Sequence, residues 1–516
     1  MQKILTNFMP ALLSGTLLFF SAPGLFGNGL LAWFCLVPLF YLINKEKPGQ
    51  AALSGLACGI LYYTGMLYWI VIVLGRYGHL PWWISVPALL MLACYMALYL
   101  AAFAALTSWV RRIIPVLWVA PIIWVSLDLI RNRLFSGFPW QDLAYSQYDY
   151  PSLIQFADLG GHYGVTFLIV LTNGFIYFVI TDLWHRKKFT KDLLKPDYLL
   201  VILLIISVFS YNQFRTRQIS KEITEAENIS VAVIQGNISQ DEKWQARFRQ
   251  ETINRYLSLS ATAITEKRTD LLIWPETAVP LYPMEAPVLQ KIIHGITELN
   301  DVSILTGAPH RIPPRSMEAN YYNSAFLFSP DGTISGRYDK QHLVPFGEYV
   351  PLKNILRFLG PLVETIGDFS LGEFTTTLSC KNARLGVLIC FESIFPELAR
   401  RQVAAGANLL VNITNDAWFG RSSAPWQHLS MAVLRAIETR RSLARSANTG
   451  ISGFIDPLGR INKSSPLFEQ YIVADDLPLL NNKTVFTDYG GHNFAVFCLL
   501  SITILMITFY FHSKKK

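Results

Sequence analysis

Charge is scarce in this sequence: Asp, Glu, Lys and Arg make up only 16% of its 516 residues, while 52% are hydrophobic. An ordinary soluble chain carries about a quarter charged residues, so a membrane protein is the first expectation. Cysteine is sparse as well. Of the six, Cys35, Cys58, Cys94 and Cys498 lie in apolar runs and only Cys380 and Cys390 fall elsewhere, so no disulfide framework is implied. The nine histidines form no HExxH motif and the cysteines no CxxC pair, and neither a metal site nor a cofactor is expected. The net charge of +8 sits largely in short basic clusters beside apolar runs, where it acts as a topology signal; no nucleic-acid signature is present.

The apolar residues are unevenly spread. Eight stretches have the length and composition of membrane-spanning helices: about 8–24, 27–43, 51–74, 82–109, 114–130, 163–184, 197–213 and 493–511. No A-x-A cleavage site follows the first of them, so it is not read as a cleaved signal peptide. The expected organisation is seven spans within residues 1–215, with a loop at 131–162, then a globular insert at 225–482, and a last span with a basic tail at 491–516. With a cytoplasmic N-terminus, the clusters at 44–47, 111–112, 185–195 and 514–516 all fall on the cytoplasmic side. That orientation puts the insert on the extracytoplasmic face of the membrane.

Within the insert, short β-branched runs at 229–238, 270–276, 302–309, 321–329, 384–390 and 408–414 read as strands. Amphipathic helical patterns at about 241–266, 283–299, 396–405 and 426–446 separate them. An α/β sandwich of about 250 residues is expected, large enough for its own core.

Three reactive side chains stand where apolar strands stop: Glu276 in "LLIWPETAVP", Lys340 in "GRYDKQHLVPFGEYVP" and Cys390 in "LGVLICFESIFPE". Singly each has a bland account, a buried small thiol or a solvated loop charge. Together they make a chemical set, because active sites in α/β folds collect at strand ends. A carboxylate can take the thiol's proton, and an ammonium can stabilise first the thiolate and then an oxyanion. Such a set suits acyl transfer through a thioester.

These segments, in this order, resemble the Glu-Lys-Cys triad of the nitrilase superfamily. With "WPE", "KxHLVPFGEYVP", "CFES" and "NDAWFG" taken beside the eight spans, the whole chain resembles the bacterial apolipoprotein N-acyltransferases. The resemblance implies a polytopic inner-membrane protein with both termini cytoplasmic and a periplasmic nitrilase-like domain, an αββα sandwich. It implies a ping-pong reaction in which a phospholipid, typically phosphatidylethanolamine, gives its sn-1 acyl chain to the cysteine. The amine of a diacylglyceryl-cysteine apolipoprotein then takes that chain. Cys390 would be the nucleophile, Glu276 the general base and acid, and Lys340 the oxyanion stabiliser. Glu348 would orient Lys340 or relay protons, and Glu392 would support the site. Residue 391 is often tyrosine in this family and is Phe391 here.

A lipid donor calls for an apolar landing surface, and Trp244, Trp418 and Phe419 are the candidates for it. In the loop 131–162, Arg131 and Arg133 are candidates to hold a phospholipid head group, with Trp140 near the acyl entrance. His342 and His428 are the alternatives for a Cys–His pair, with Glu276 favoured as base. The expected partners are the phospholipid donor, the diacylated apolipoprotein and the bilayer, with no nucleic acid and a monomeric chain. A transporter is disfavoured because the spans hold almost no ionisable residue besides Asp128. A catalytically dead scaffold is weakened by the presence of all three triad types. A membrane-tethered nitrilase or amidase is the serious alternative, because the triad alone does not choose between water and an amine as acceptor.

Overall fold

The computed structural model describes residues 2–111, 114–186, 195–240, 246–312, 320–349, 369–373 and 377–514. Trp244 lies outside them. All eight expected apolar segments are helical, but not all as single helices. The second is a short 3₁₀ turn, Gly29–Trp33, followed by the helix Val37–Lys45. The third breaks into Pro48–Met66 and Trp69–Tyr77, bent by 46°. Among the described residues, Trp82–Val110, Ala157–Leu183 and Pro196–Glu225 are each long and apolar enough to cross a membrane, and the bent pair makes a fourth if it counts as one span. The remaining apolar helices are shorter.

The α/β domain begins where Pro196–Glu225 ends. Its strands are β1 (Asn228–Gln235), β2 (Leu271–Ile273), β3 (Ser303–Ile312), β4 (Asn320–Phe328), β5 (Ile334–Asp339), β6 (Leu378–Cys380), β7 (Ala383–Ile389), β8 (Leu409–Thr414), β9 (Ser442–Ala447), β10 (Gly453–Ile455), β11 (Ile461–Ser464) and β12 (Tyr471–Pro478). They form two six-stranded sheets, β12-β1-β2-β3-β4-β5 and β11-β10-β9-β8-β7-β6. Each sheet has a parallel triple at its centre, β1-β2-β3 in one and β7-β8-β9 in the other, flanked by antiparallel strands.

Strand periodicity builds the layers. In β7, Leu385, Val387 and Ile389 point between the sheets, where they meet Val233, Ile273 and Leu327 of the other sheet's strands. Leu388, one position out of step, faces the opposite side. The helices Arg249–Glu266 and Pro287–Asn300 cover the outer face of the first sheet. Pro396–Ala404 and Ala424–Thr439 cover the second, giving four layers.

The helix Ala424–Thr439 does not face solvent. Every residue of it except Trp426 is buried, because its other side packs on the apolar helices. Polar bonds pin it there. Arg440, which ends the helix in the left-handed conformation, bonds Asp158 Oδ2 at 3.0 Å, and Glu438 Oε1 accepts from the His162 backbone N–H at 2.9 Å. The expected helix over 426–446 is therefore too long. Its end, from Ser442 on, is β9, whose neighbours β8 and β10 override the helical preference of Ala and Arg in "SLARSA".

Candidate active site

Glu276 follows β2, Lys340 follows β5 and Cys390 follows β7, so the first two hang from one sheet and the third from the other. Glu276 and Lys340 are buried and Cys390 is partly exposed. The backbone of β3 runs close under Glu276: a Cβ on Gly307 would lie 2.6 Å from Glu276 Cα, so only glycine fits there.

Lys340 Nζ lies 2.9 Å from Glu348 Oε1 and 3.8 Å from Glu276 Oε1. Asn323, on β4, bridges the two carboxylates, donating from Nδ2 at 2.7 Å to Glu276 and 2.9 Å to Glu348. The backbone N–H groups of Asn415 and Val344 hold the other oxygens, at 2.9 Å on Glu276 and 2.8 Å on Glu348. Burial alone would push the Lys340 ammonium down, but Glu348 and then Glu276 outweigh it and hold the amine above the ordinary lysine range. Lys340 therefore stays charged at neutral pH. Burial, then the charge of Glu276, pushes the Cys390 thiol up, against the pull of Lys340 and of a hydrogen bond to Thr414. The resting sulfur is a thiol that needs a base.

Cys390 sits at φ +51°, on a sharp turn from β7 into the 3₁₀ helix Cys390–Ile394. A non-glycine residue there stores strain on the order of 1 kcal/mol, which the surroundings must hold. Glu392 is one such restraint. Its carboxylate accepts from the Ile389 N–H at 2.7 Å, from the Gln341 and His342 N–H groups at 2.6 and 3.1 Å, and from the Tyr338 hydroxyl at 3.0 Å. It thus staples the turn carrying Cys390 to the segment carrying Lys340. Burial raises its pKa to about 7, and the four donors bonded to it pull the other way, toward the charged form.

The aromatic candidates gather beside Cys390. Trp140 is buried, stacked on Phe138 at 5.9 Å and facing Phe391 at 6.5 Å. Phe419 meets Trp69 at 5.0 Å and Trp140 at 5.9 Å, while Trp418 packs on Tyr77 at 4.9 Å. Trp69 and Tyr77 belong to the second half of the bent helix pair, so this aromatic wall runs from the apolar helices to the residue after Cys390. His342 packs on Phe395, and burial, then Lys340, lowers its pKa to about 4.

The head-group role expected of Arg131 is not what the structure provides. Its guanidinium is buried, bonded to Asp142, to Tyr63 Oη at 2.7 Å and to Asp128 at 3.0 Å. These carboxylates and the hydroxyl hold it inside the protein, away from the surface. Arg133 is exposed and is not part of that cluster. Asn323, Asn415, Thr414 and the buried set Asp416, His428 and Arg445 were not singled out from sequence as site residues, apart from His428 as a possible thiol partner. Asn323 carried a usable signal, a polar residue inside the apolar strand "YYNSAFLFS".

A carboxylate, an ammonium and a thiol thus stand at neighbouring strand ends of an αββα sandwich. Residues 230–479 match the family model Carbon-nitrogen hydrolase. Residues 14–209 match a second model, Apolipoprotein N-acyltransferase N-terminal domain. The apolipoprotein N-acyltransferase of Geobacter metallireducens is 41% identical over 500 residues, covering 97% of this chain and 94% of that protein. That of Pasteurella multocida is 31% identical over 513 residues, covering 98% and 95%. The chain belongs to the apolipoprotein N-acyltransferase family, the acyltransferases of the nitrilase superfamily. Among solved structures, Saccharomyces cerevisiae Nit3, a member of branch 10 of the nitrilase superfamily, is 20% identical, with a TM-score of 0.38 over 49% of this chain and 90% of that one.

Proposed function

We propose that this protein moves an acyl chain from a phospholipid to the N-terminal amine of a diacylated apolipoprotein, through a thioester on Cys390. The observation that carries the reading is the pairing of a charged, buried Lys340 with Glu276 beside a thiol, on a domain packed directly against apolar helices. In the first half-reaction Glu276 takes the Cys390 proton and Sγ attacks the sn-1 ester carbonyl, typically of phosphatidylethanolamine. Lys340 faces the oxyanion, and Glu276 returns the proton to the departing glycerol oxygen. In the second, the amine attacks the thioester, and its proton passes through Glu276 to the leaving sulfur. Glu348 holds Lys340 in place and Glu392 holds the turn.

Trp140, Trp418 and Phe419 supply the apolar surface along which the chain reaches Cys390, and Trp244 belongs to the same proposal by its place in the sequence. Of the two arginines considered for the head group, only the exposed Arg133 is proposed for it. The eight-span arrangement, the inner-membrane location, the periplasmic domain, the cytoplasmic termini and the monomeric state are part of this reading too.

The test is to incubate the purified full chain with acyl-labelled phospholipid vesicles, look for the label on Cys390 by mass spectrometry, and then add a diacylated lipopeptide. The expected result is a labelled Cys390 that discharges onto the peptide amine. Label released only as free fatty acid would make the protein a hydrolase, and an unlabelled Cys390 would reject thioester chemistry altogether.

A further inference from the structure

The carbonyl oxygen of Cys390 is held from behind by three side chains. Ser393 Oγ donates to it at 3.0 Å, His428 Nε2 lies 3.1 Å away and Asn412 Nδ2 lies 3.5 Å away. Ser393 Oγ and His428 Nε2 are 2.9 Å apart, so hydroxyl, ring and carbonyl close a triangle. A carbonyl oxygen only accepts, so the bond between it and the ring needs a proton on Nε2. Nδ1 faces Arg445 Nη2 at 3.1 Å.

Behind the ring, Arg445 is spread over Asn412 Oδ1, Ile451 O and Asp416 Oδ2. Asp416 Oδ1, 3.0 Å from Nδ1, also accepts from the Thr414 hydroxyl at 3.0 Å. The ring is buried and lies against Trp140 and Phe419. Its contact with the nucleophile is through the main chain.

The peptide joining Cys390 to Phe391 is trans and planar, so its C=O and N–H point opposite ways. Anchoring the oxygen against His428 therefore fixes the Phe391 N–H on the far side. We infer that His428 is a positioning residue for acyl transfer: its Nε2–H locks the strained Cys390–Phe391 peptide so that the Phe391 N–H shares the oxyanion of the tetrahedral intermediate with Lys340. The inference rests on Cys390 being the acylated nucleophile. A donor held this way does not reorient when charge develops, which is what makes such donors effective. Without His428, the φ of +51° gives the peptide a reason to relax and carry its N–H away.

The experiment compares two reactions of Cys390 in the full chain: single-turnover acylation by labelled phospholipid vesicles, which forms an oxyanion, and alkylation by iodoacetamide, which does not. His428→Phe keeps an aromatic ring against Trp140 and Phe419 but has no donor. Its acylation is expected to fall by about 10²–10³-fold, the loss typical of one oxyanion donor, with alkylation unchanged. His428→Gln, whose amide reaches about as far as Nε2, is expected to recover most of that loss. A folded His428→Phe that acylates as fast as wild type, or that loses both reactions equally, overturns the inference. Should that variant not fold, Ser393→Ala loosens the same carbonyl and is read by the same two rates with the same two outcomes. A wild-type chain that never takes up the acyl group overturns the functional reading and this one with it. An acylated wild type beside an equally competent His428→Phe overturns this one alone.

Discussion

Gln427 Oε1 accepts the indole N–H of Trp69 at 3.0 Å, joining the α/β domain to the break in an apolar helix. The same oxygen accepts from Trp140 Nε1 at 2.8 Å, and the Gln427 amide donates to Met66 O at 3.1 Å and to Ser423 Oγ at 3.0 Å. Met66 is the last residue before the bend, where helix carbonyls lose their intrahelical partners. One side chain thus satisfies the bend and sets both indoles of the aromatic wall.

Replacing Gln427 by Leu keeps much of its bulk and removes all four bonds. Two buried indole N–H groups and one carbonyl then lose their partner, at about 1–3 kcal/mol for such orphaned groups. We expect a lower unfolding temperature in detergent, and slower Cys390 acylation by phospholipid than by a short-chain thioester donor. Equal rates with both donors would mean that the wall does not guide the chain.

Arg131→Ala takes the guanidinium away from buried Asp128 and Asp142, of which Asp142 keeps His162 at 2.9 Å. Breaking a buried pair from one side costs about 3–5 kcal/mol, so a steep fall in the yield of folded protein is expected. The KM for phospholipid in whatever folds should be that of wild type. A normal yield with a raised KM would return Arg131 to the lipid.

Glu392→Gln places an NH₂ group where only donors converge. At least one of the Ile389, Gln341, His342 or Tyr338 donors loses its acceptor, and the staple between the Cys390 turn and Lys340 opens. Single-turnover acylation should drop at least tenfold, since about 1.4 kcal/mol of lost alignment is a factor of ten. Circular dichroism should remain that of wild type. Full activity would show that the turn holds itself.

Asp416 titrates in the opposite sense from Glu392. Burial works against its charge, but Arg445 and then His428 hold it down to about 2. A carboxyl depressed in the folded state stabilises above its unfolded pKa of about 3.9, and that stability is lost as pH falls toward about 2. The share is about 2–3 kcal/mol. Thermal unfolding followed from pH 5 to pH 2 should show that loss in wild type, and the slope should flatten in Asp416→Asn. Identical profiles would remove Asp416 from the linkage.

The strand ends that carry Glu276 and Cys390 were legible because each is an apolar run stopped by one reactive residue; β5, which leads into Lys340, is the polar run "ISGRYD" and was not among the expected strands. Six strands were read this way, with β2 three residues long where seven were expected. β9 was not, because Ser442, Arg445 and Ser446 look solvent-facing until Asp416, Asn412 and the carbonyls of Ile234 and Ile273 are brought against them from distant segments. Arg131 was misread for a similar reason: counting positive charge beside a span does not reveal that carboxylates three residues before and eleven residues after it fold onto its guanidinium. The break at residues 67–68 has no proline or paired glycine to announce it.

The helix Ala424–Thr439 has a practical meaning for anyone rebuilding this protein. Excising residues 228–478 as a free-standing enzyme would expose to water a helix that normally lies between two layers, and the product should precipitate. Hybrids between relatives face the same constraint: the catalytic half and its apolar floor are cut to fit each other, and swapping one obliges the engineer to swap the other.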